Sequence, residues 1–109
     1  IGYVTHPYPM KTGQPWEENW ERDWGHVASR YPVFASEIGF MAATDPGAHV
    51  PVMADEDYGR RIVAYLAKKG ISWTVWCFDP DWPPQMISDW KYTPTRQGAF
   101  FRAVMLQEK

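Results

Sequence analysis

Apolar residues occur in this sequence as short continuous runs that alternate with longer stretches of helical spacing. The runs predict three strands, the first over residues 1–5, the second between Pro32 and Gly39, and the third over residues 71–78. The Val-Phe-Ala run of the second segment is typical of a strand that is buried on both of its faces. A single carboxylate, Glu37, stands at the far end of that strand.

The first stretch of helical spacing predicts a helix over residues 15–30, with Pro15 in its first turn. Large apolar side chains recur there at intervals of four, four and three residues, which places them on one helix face, and most acidic residues take the other. The residues of this apolar stripe are Trp16, Trp20, Trp24 and Val27. We interpret the stripe as part of the core, and the alternative is a platform for a ligand.

The second stretch predicts a helix that has Asp55 or a neighbouring residue as its cap, runs to Lys69 and ends at Gly70. A loop with an Asp-Pro-Gly turn at residues 45–47 precedes this helix. Four of its side chains are expected to face inward, and they are Tyr58, Ile62, Tyr65 and Leu66.

A third helix is predicted from Pro94 to Gln107, with Thr93 or Thr95 as its cap. Its candidates for the core are Phe100, Phe101, Val104 and Met105. The resulting order of strand, helix, strand, helix, strand, helix predicts an α/β fold with about three parallel strands and three helices. We expect the whole chain, residues 1–109, to form one domain.

The composition argues against several classes of protein. With 45% apolar and 22% charged residues, the chain is expected to be a soluble globular domain without a membrane span. A net charge of −2 does not provide the basic surface that nucleic acids require, so we expect neither a nucleic acid nor a membrane as partner. Cys77 is the single cysteine, and we interpret it as a small buried apolar residue. No signal peptide is recognisable at the start of the sequence.

Aromatic residues are unusually frequent, with seven Trp, six Tyr and five Phe. Such rings stabilise cores by burial, and they also stack on the C–H faces of sugars, so composition alone leaves both uses open. Trp73 and Trp76 lie an odd number of residues apart in the third strand and therefore face opposite sides. One of these two rings can pack under a helix while the other faces a cleft.

Four chemically capable side chains fall at the carboxyl ends of the predicted strands, and they are His6, Tyr8, Glu37 and Trp76. Parallel sheets gather functional residues at this edge. The prolines beside Tyr8 keep the backbone extended and place His6 and Tyr8 on the same side. Taken alone, His6 is equally consistent with a structural role, and Glu37 with a salt-bridged or solvated one. Their coincidence at one edge favours function.

Three segments carry a resemblance to a known family. Tyr-Val-Thr-His-Pro-Tyr, Tyr-Pro-Val-Phe-Ala-Ser-Glu-Ile-Gly-Phe and Gly-Ile-Ser-Trp-Thr-Val-Trp together resemble the last three strands of glycoside hydrolase family five, the cellulase family. The resemblance covers nearly the whole chain and implies a partial, half-barrel-like TIM-type fold. It also implies a retaining, endoglucanase-like hydrolase of β-1,4-glucan, without cofactor or metal, in an extracellular location.

The resemblance assigns roles to individual side chains. It implies that Glu37 is the nucleophile, that Tyr8 orients it through a hydrogen bond, and that His6 contacts the substrate. Trp76 corresponds to the tryptophan beneath the reacting sugar. Trp82, in the aromatic and acidic loop after the third strand, is a further candidate for substrate binding.

The general acid is not recognisable in the sequence. A complete (β/α)8 barrel needs ~250 residues, and the family's Asn-Glu motif, which holds the acid, is missing here. A retaining glycosidase needs two carboxyl groups about 5–5.5 Å apart. We rank Asp79 first because it lies three residues beyond Trp76, and the alternatives are Asp81, Glu17, Glu18 or a carboxylate of another subunit.

Two hypotheses of function follow. In the first, the protein is a β-1,4-glucan hydrolase with the roles given above. In the second, it is a non-catalytic barrel unit that binds glucan, or serves only as a folding unit, because the acid is missing. Three strands cannot close into a barrel, so we also expect a homo-oligomer, either a dimer or a tetramer.

Overall fold

Three parallel strands form the sheet at the centre of the structure, a computed structural model that describes residues 1–107. The strands are β1 (Tyr3–Thr5), β2 (Val33–Ile38) and β3 (Ser72–Val75), and they lie in the order β1-β2-β3. Three α-helices separate and follow them, namely α1 (Trp16–Asp23), α2 (Glu56–Lys69) and α3 (Arg96–Gln107). The predicted α/β fold with three parallel strands and three helices is therefore confirmed.

Strand β2 has its predicted bounds, whereas β1 and β3 are shorter than the sequence predicts, most clearly at the end of β3. Regular pairing stops at Val75, although apolar residues continue to Phe78. The reason is that the backbone N–H of Cys77 donates to the Pro84 carbonyl of the following loop at 3.0 Å. The chain leaves the sheet at this point, because a backbone N–H can serve only one good acceptor.

The first predicted helix is wrong as one continuous element. α1 ends at Asp23, Trp24 leaves the helical conformation, and a 3₁₀ helix covers Gly25–Ser29. α2 passes so close to the break that a Cβ at Gly25 would lie 1.9 Å from the Tyr65 hydroxyl. Helical periodicity does not record this approach between two elements, so the sequence gives no sign of it.

Helix α2 has the bounds that its cap signals predict. The Asp55 side chain accepts the Asp57 backbone N–H at 2.9 Å, and Gly70 adopts the left-handed conformation with φ of 68°. All four side chains expected to face inward are buried, and they are Tyr58, Ile62, Tyr65 and Leu66.

Helix α3 begins one residue after Thr95, whose hydroxyl accepts the Gly98 backbone N–H at 3.1 Å. The structure thus selects Thr95 over Thr93 as the cap. Phe101 is fully buried, but Met105 is 48% exposed, so its assignment to the core is wrong. Both residues fit the helical spacing, and only the position of the sheet decides which of them is covered.

The main core lies between the helices and one face of the sheet. Buried residues of this cluster include Trp16, Trp20, Ala35, Ile38, Phe40, Tyr58, Ile62, Leu66 and Phe101. The assignment of the tryptophan stripe to the core is confirmed. β2, however, is not buried on both faces, because Phe34 is 39% exposed while Ala35 and Ile38 are inaccessible. None of the helices within residues 1–107 is both long and apolar enough to cross a membrane.

Candidate active site

The carboxyl ends of β1 and β2 bring His6, Tyr8 and Glu37 together. Thr5 pairs with Ala35 across the parallel strands, so the residues that follow each of them share one edge of the sheet. The Tyr8 hydroxyl donates to Glu37 Oε1 at 2.8 Å. His6 Nδ1 lies 3.5 Å from Glu37 Oε2. Each carboxylate oxygen therefore has its own polar neighbour.

Tyr8 is positioned to act as a permanent hydrogen-bond donor. Its side chain is 9% exposed. Burial raises the pKa of the Tyr8 phenol, and the hydrogen bond to Glu37 raises this pKa further. The phenol thus keeps its proton at neutral pH. The Glu37 side chain remains 29% exposed, so its carboxylate is held in place while still accessible from the strand ends.

His6 is held between two residues of β2. Its Nε2 lies 2.9 Å from the Ser36 hydroxyl, while its Nδ1 faces Glu37. The Thr74 hydroxyl of β3 donates to the Ser36 carbonyl at 2.6 Å, and this bond links β3 to β2 at the residue that contacts His6. Ser36 was not singled out from the sequence. The only signal for it is the register of β1 and β2, which places it beside His6.

Two aromatic side chains, one from α1 and one from α2, donate hydrogen bonds to backbone carbonyls of the His-Pro-Tyr-Pro segment. The Tyr58 hydroxyl of α2 donates to the Pro7 carbonyl at 2.7 Å. The Trp16 indole of α1 donates to the Pro9 carbonyl at 2.8 Å. Burial raises the pKa of Tyr58, which therefore stays a donor. Sequence reasoning assigned both rings to the core and missed that their polar atoms fix the segment that carries Tyr8.

Trp73 of β3 and Trp76, one residue beyond β3, pack against two different clusters, so only one of the two rings enters the main core. Trp73 packs against the main core, with its ring centroid 5.7 Å from that of Phe101. Trp76 instead packs against a second, smaller cluster that contains Tyr8. The remaining buried members of that cluster are Met41 and Val52. The Trp76 ring thus lies on the Tyr8 side of the sheet edge, and the Trp76–Cys77 peptide bond is cis.

Asp79 lies at the same edge, but it is not bonded to Glu37 within the described residues. One of its carboxylate oxygens accepts the Asp81 backbone N–H at 2.7 Å. The Cys77 thiol is only partly buried, contrary to the expectation of a buried residue. Burial raises the pKa of Cys77, and the charges of Asp79 and Glu37 raise it further.

The other candidate residues are spread around this edge. Trp82 is 62% exposed, and its carbonyl accepts the Cys77 thiol at 3.5 Å, so its ring faces solvent. Glu17 accepts the Arg61 guanidinium Nε at 2.9 Å, and this bond lowers the pKa of the Glu17 carboxyl. An ionised, paired carboxylate is a poor proton donor. Glu18 and Asp81 are exposed, and within residues 1–107 neither is hydrogen-bonded to Tyr8 or Glu37.

Two crystal structures of the β-glucanase SdGluc5_26A from Saccharophagus degradans match the chain, each with a TM-score of 0.94. One is the native form, at 50% sequence identity, and the other is a complex with cellotetraose, at 49% identity. The match covers 98% of this chain and 34% of the glucanase chain. The chain is similar to one third of a β-glucanase. No protein-family model matches it, and no curated protein does either.

The structural match and the resemblance found in the sequence agree that this chain is similar to part of a glucanase. The match also supports the partial barrel, because the three strand–helix units correspond to part of a glucanase barrel. The chain spans about a third of the length of the glucanase that it matches, so the activity of the whole glucanase comes to this chain only as a proposal.

Proposed function

We propose that the protein is a retaining glycoside hydrolase that acts on β-1,4-glucan, with Glu37 as its nucleophile. The observation that carries this proposal is the 2.8 Å hydrogen bond from the buried Tyr8 phenol to a partly exposed Glu37 carboxylate. This bond fixes one carboxylate oxygen, and a fixed carboxylate reaches an anomeric carbon with little loss of freedom. The similarity to a β-glucanase supports the choice of substrate.

The reaction proceeds in two steps. Glu37 attacks the anomeric carbon, a glycosyl ester forms, and the glycosidic oxygen leaves with a proton from the general acid. That same acid group, now ionised, then takes a proton from water, and the water displaces Glu37 from the sugar. Tyr8 keeps Glu37 oriented in the first step and stabilises the departing carboxylate in the second, because its phenol remains protonated.

Three further side chains take part in substrate binding. His6, held by Ser36, contacts a sugar hydroxyl, and Trp76 stacks on a sugar ring. Trp82 offers a second ring further out in the loop. We assign the general acid to Asp79, because its partly exposed carboxylate follows Trp76 by three residues in the loop after β3. A carboxylate from a second subunit is the alternative source.

A second candidate function is glucan binding without cleavage. It is favoured by one specific observation, which is that the chain spans only 34% of the length of the β-glucanase that it matches. In this case the same aromatic edge holds a cello-oligosaccharide, but no acid completes the pair of carboxyl groups that hydrolysis needs.

The test is cleavage of a soluble β-1,4-glucan by the parent chain and by Glu37→Ala. We expect Glu37→Ala to lose activity by orders of magnitude while it stays folded, because no other group replaces a positioned nucleophile. Asp23→Ala is the matched control, since Asp23 is an exposed carboxylate of α1 that is not a candidate for the acid. Cleavage by Glu37→Ala at the parent rate contradicts the nucleophile assignment. Cellotetraose binding without any cleavage by the parent selects the second function.

A further inference from the structure

Gln97 of α3 is a buried polar side chain that bonds to three separate backbone segments. It is 2% exposed. Its carbonyl oxygen accepts the Phe40 backbone N–H at 2.6 Å. Its amide nitrogen donates to the Trp76 carbonyl at 2.7 Å and to the Pro84 carbonyl at 2.8 Å. Both donor hydrogens of the amide are thus used, as a buried amide requires.

These bonds fall on the backbone beside the candidate active site. Phe40 lies three residues after Glu37, and Trp76 immediately follows β3. The Trp76 backbone N–H also donates to the Ile38 carbonyl at 3.0 Å. Both backbone groups of Trp76 are therefore bonded: its N–H donates to β2, and its carbonyl accepts from Gln97.

The approach of these segments is close enough to require glycine at residue 39. A Cβ at Gly39 would lie 2.8 Å from the Gln97 side-chain oxygen and 3.1 Å from the Trp76 carbonyl oxygen. The chain between Glu37 and Phe40 thus passes against both groups. The ends of β2 and β3 are joined here by one side chain from a helix, rather than by regular strand pairing alone.

We propose that Gln97 is a positioning residue that fixes the Trp76 ring relative to the Glu37 carboxylate. Gln97 does not touch the sugar and acts through the backbone at the two strand ends. The loss of its amide leaves the Phe40 N–H and the Trp76 carbonyl without their partner, so the two ends can shift independently. Stacking on a sugar depends on ring placement, and the consequence for glucan binding therefore rests on the function proposed above.

The first measurement does not depend on any sugar. We would record the indole N–H signal of Trp76 by NMR in the free protein and assign it with Trp76→Phe. Gln97→Met keeps the length of the side chain and removes all three bonds, so we expect this signal to shift or broaden. Gln85→Met is the matched control, because Gln85 donates to the Pro80 carbonyl of the same loop at 3.0 Å. An unchanged Trp76 signal in folded Gln97→Met overturns the proposal.

The second measurement is cellotetraose affinity by calorimetry. We expect Gln97→Met to bind about fivefold more weakly than the parent, which is roughly the loss expected when the ring contact is removed, and Gln85→Met to bind within twofold of the parent. Equal affinity of the parent and a folded Gln97→Met overturns the positioning role. If the parent itself does not bind cellotetraose, the proposed function fails, and the Trp76 signal in the free protein still decides the role of Gln97.

A further variant and a measurement on the parent cover the case in which Gln97→Met does not fold. Gln97→Glu keeps an acceptor for the Phe40 N–H and removes the amide donors, so the same changes are expected at neutral pH. In the parent, cellotetraose should shift the side-chain amide signals of Gln97, because this amide is bonded to the Trp76 carbonyl. Amide signals that stay constant at saturating cellotetraose contradict the proposal.

Discussion

The Tyr8–Glu37 contact explains why a carboxylate is tolerated at the end of a central strand. A partly buried charge is costly unless hydrogen bonds or solvent compensate it. Glu37 has both, since Tyr8 donates to one oxygen and the side chain keeps some exposure. The same arrangement suits a nucleophile, which must be oriented but reachable.

Trp76→Ala should weaken the binding of cello-oligosaccharides by about 1 kcal/mol or more, because one ring contact with the sugar is lost. Calorimetry with cellotetraose measures this change directly. Trp90→Ala is a suitable control, since Trp90 is an exposed tryptophan in the turn before α3. An affinity of Trp76→Ala equal to that of the parent removes Trp76 from the site.

The sequence predicts the candidate residues of the site better than the residues that hold them in place. His6 and Tyr8 follow β1 and Glu37 lies near the end of β2, at the carboxyl ends of neighbouring parallel strands, so their convergence is predictable from the order of elements. The bonds from Tyr58 to Pro7 and from Gln97 to Phe40 join residues more than fifty positions apart. Such contacts depend on how the helices pack on the sheet, which periodicity does not specify.

At the scale of elements, local signals predict helix ends only where the end is locally determined. α2 is an example, because an Asp55 cap and a left-handed Gly70 define it without help from other elements. The break after α1 is different. It occurs where Gly25 meets Tyr65 of α2, and a glycine inside a helical pattern is not by itself a stop signal.

Gly25→Ala should therefore lower the free energy of unfolding by about 1–3 kcal/mol, as expected for overpacking of a close contact. The added methyl group collides with the Tyr65 hydroxyl, which also donates to Glu21 of α1. Urea unfolding followed by tryptophan fluorescence provides the measurement. Gly2→Ala is the control, because a Cβ there meets its nearest atom at 3.6 Å. If the two variants unfold at the same urea concentration, the 3₁₀ segment accommodates the added methyl group without loss of stability, and the prediction is wrong.

At the scale of the whole molecule, the sheet presents two open edges. Within residues 1–107, β1 and β3 each pair on one side only, and both pair with β2. Large apolar side chains are exposed on these strands and around β3, and they include Tyr3 and Val4 of β1, Phe34 of β2, and Phe78, Tyr92 and Leu106 around β3. Unpaired strand edges beside exposed apolar residues are surfaces that associate readily.

We therefore expect the chain to self-associate, as a dimer or a tetramer with closed symmetry. A two-fold axis along the strands places β3 of each copy beside β1 of the other, so that two sheets become one ring of parallel strands. This pairing covers the exposed rings and can bring a carboxylate of one copy towards Glu37 of the other.

Light scattering at low micromolar concentration measures the mass of the protein in solution and so tests this self-association. A Val4→Lys variant, which places a charge at the β1 edge, should shift the equilibrium towards the monomer. A parent chain that is soluble only as a 12.7 kDa species rules out self-association.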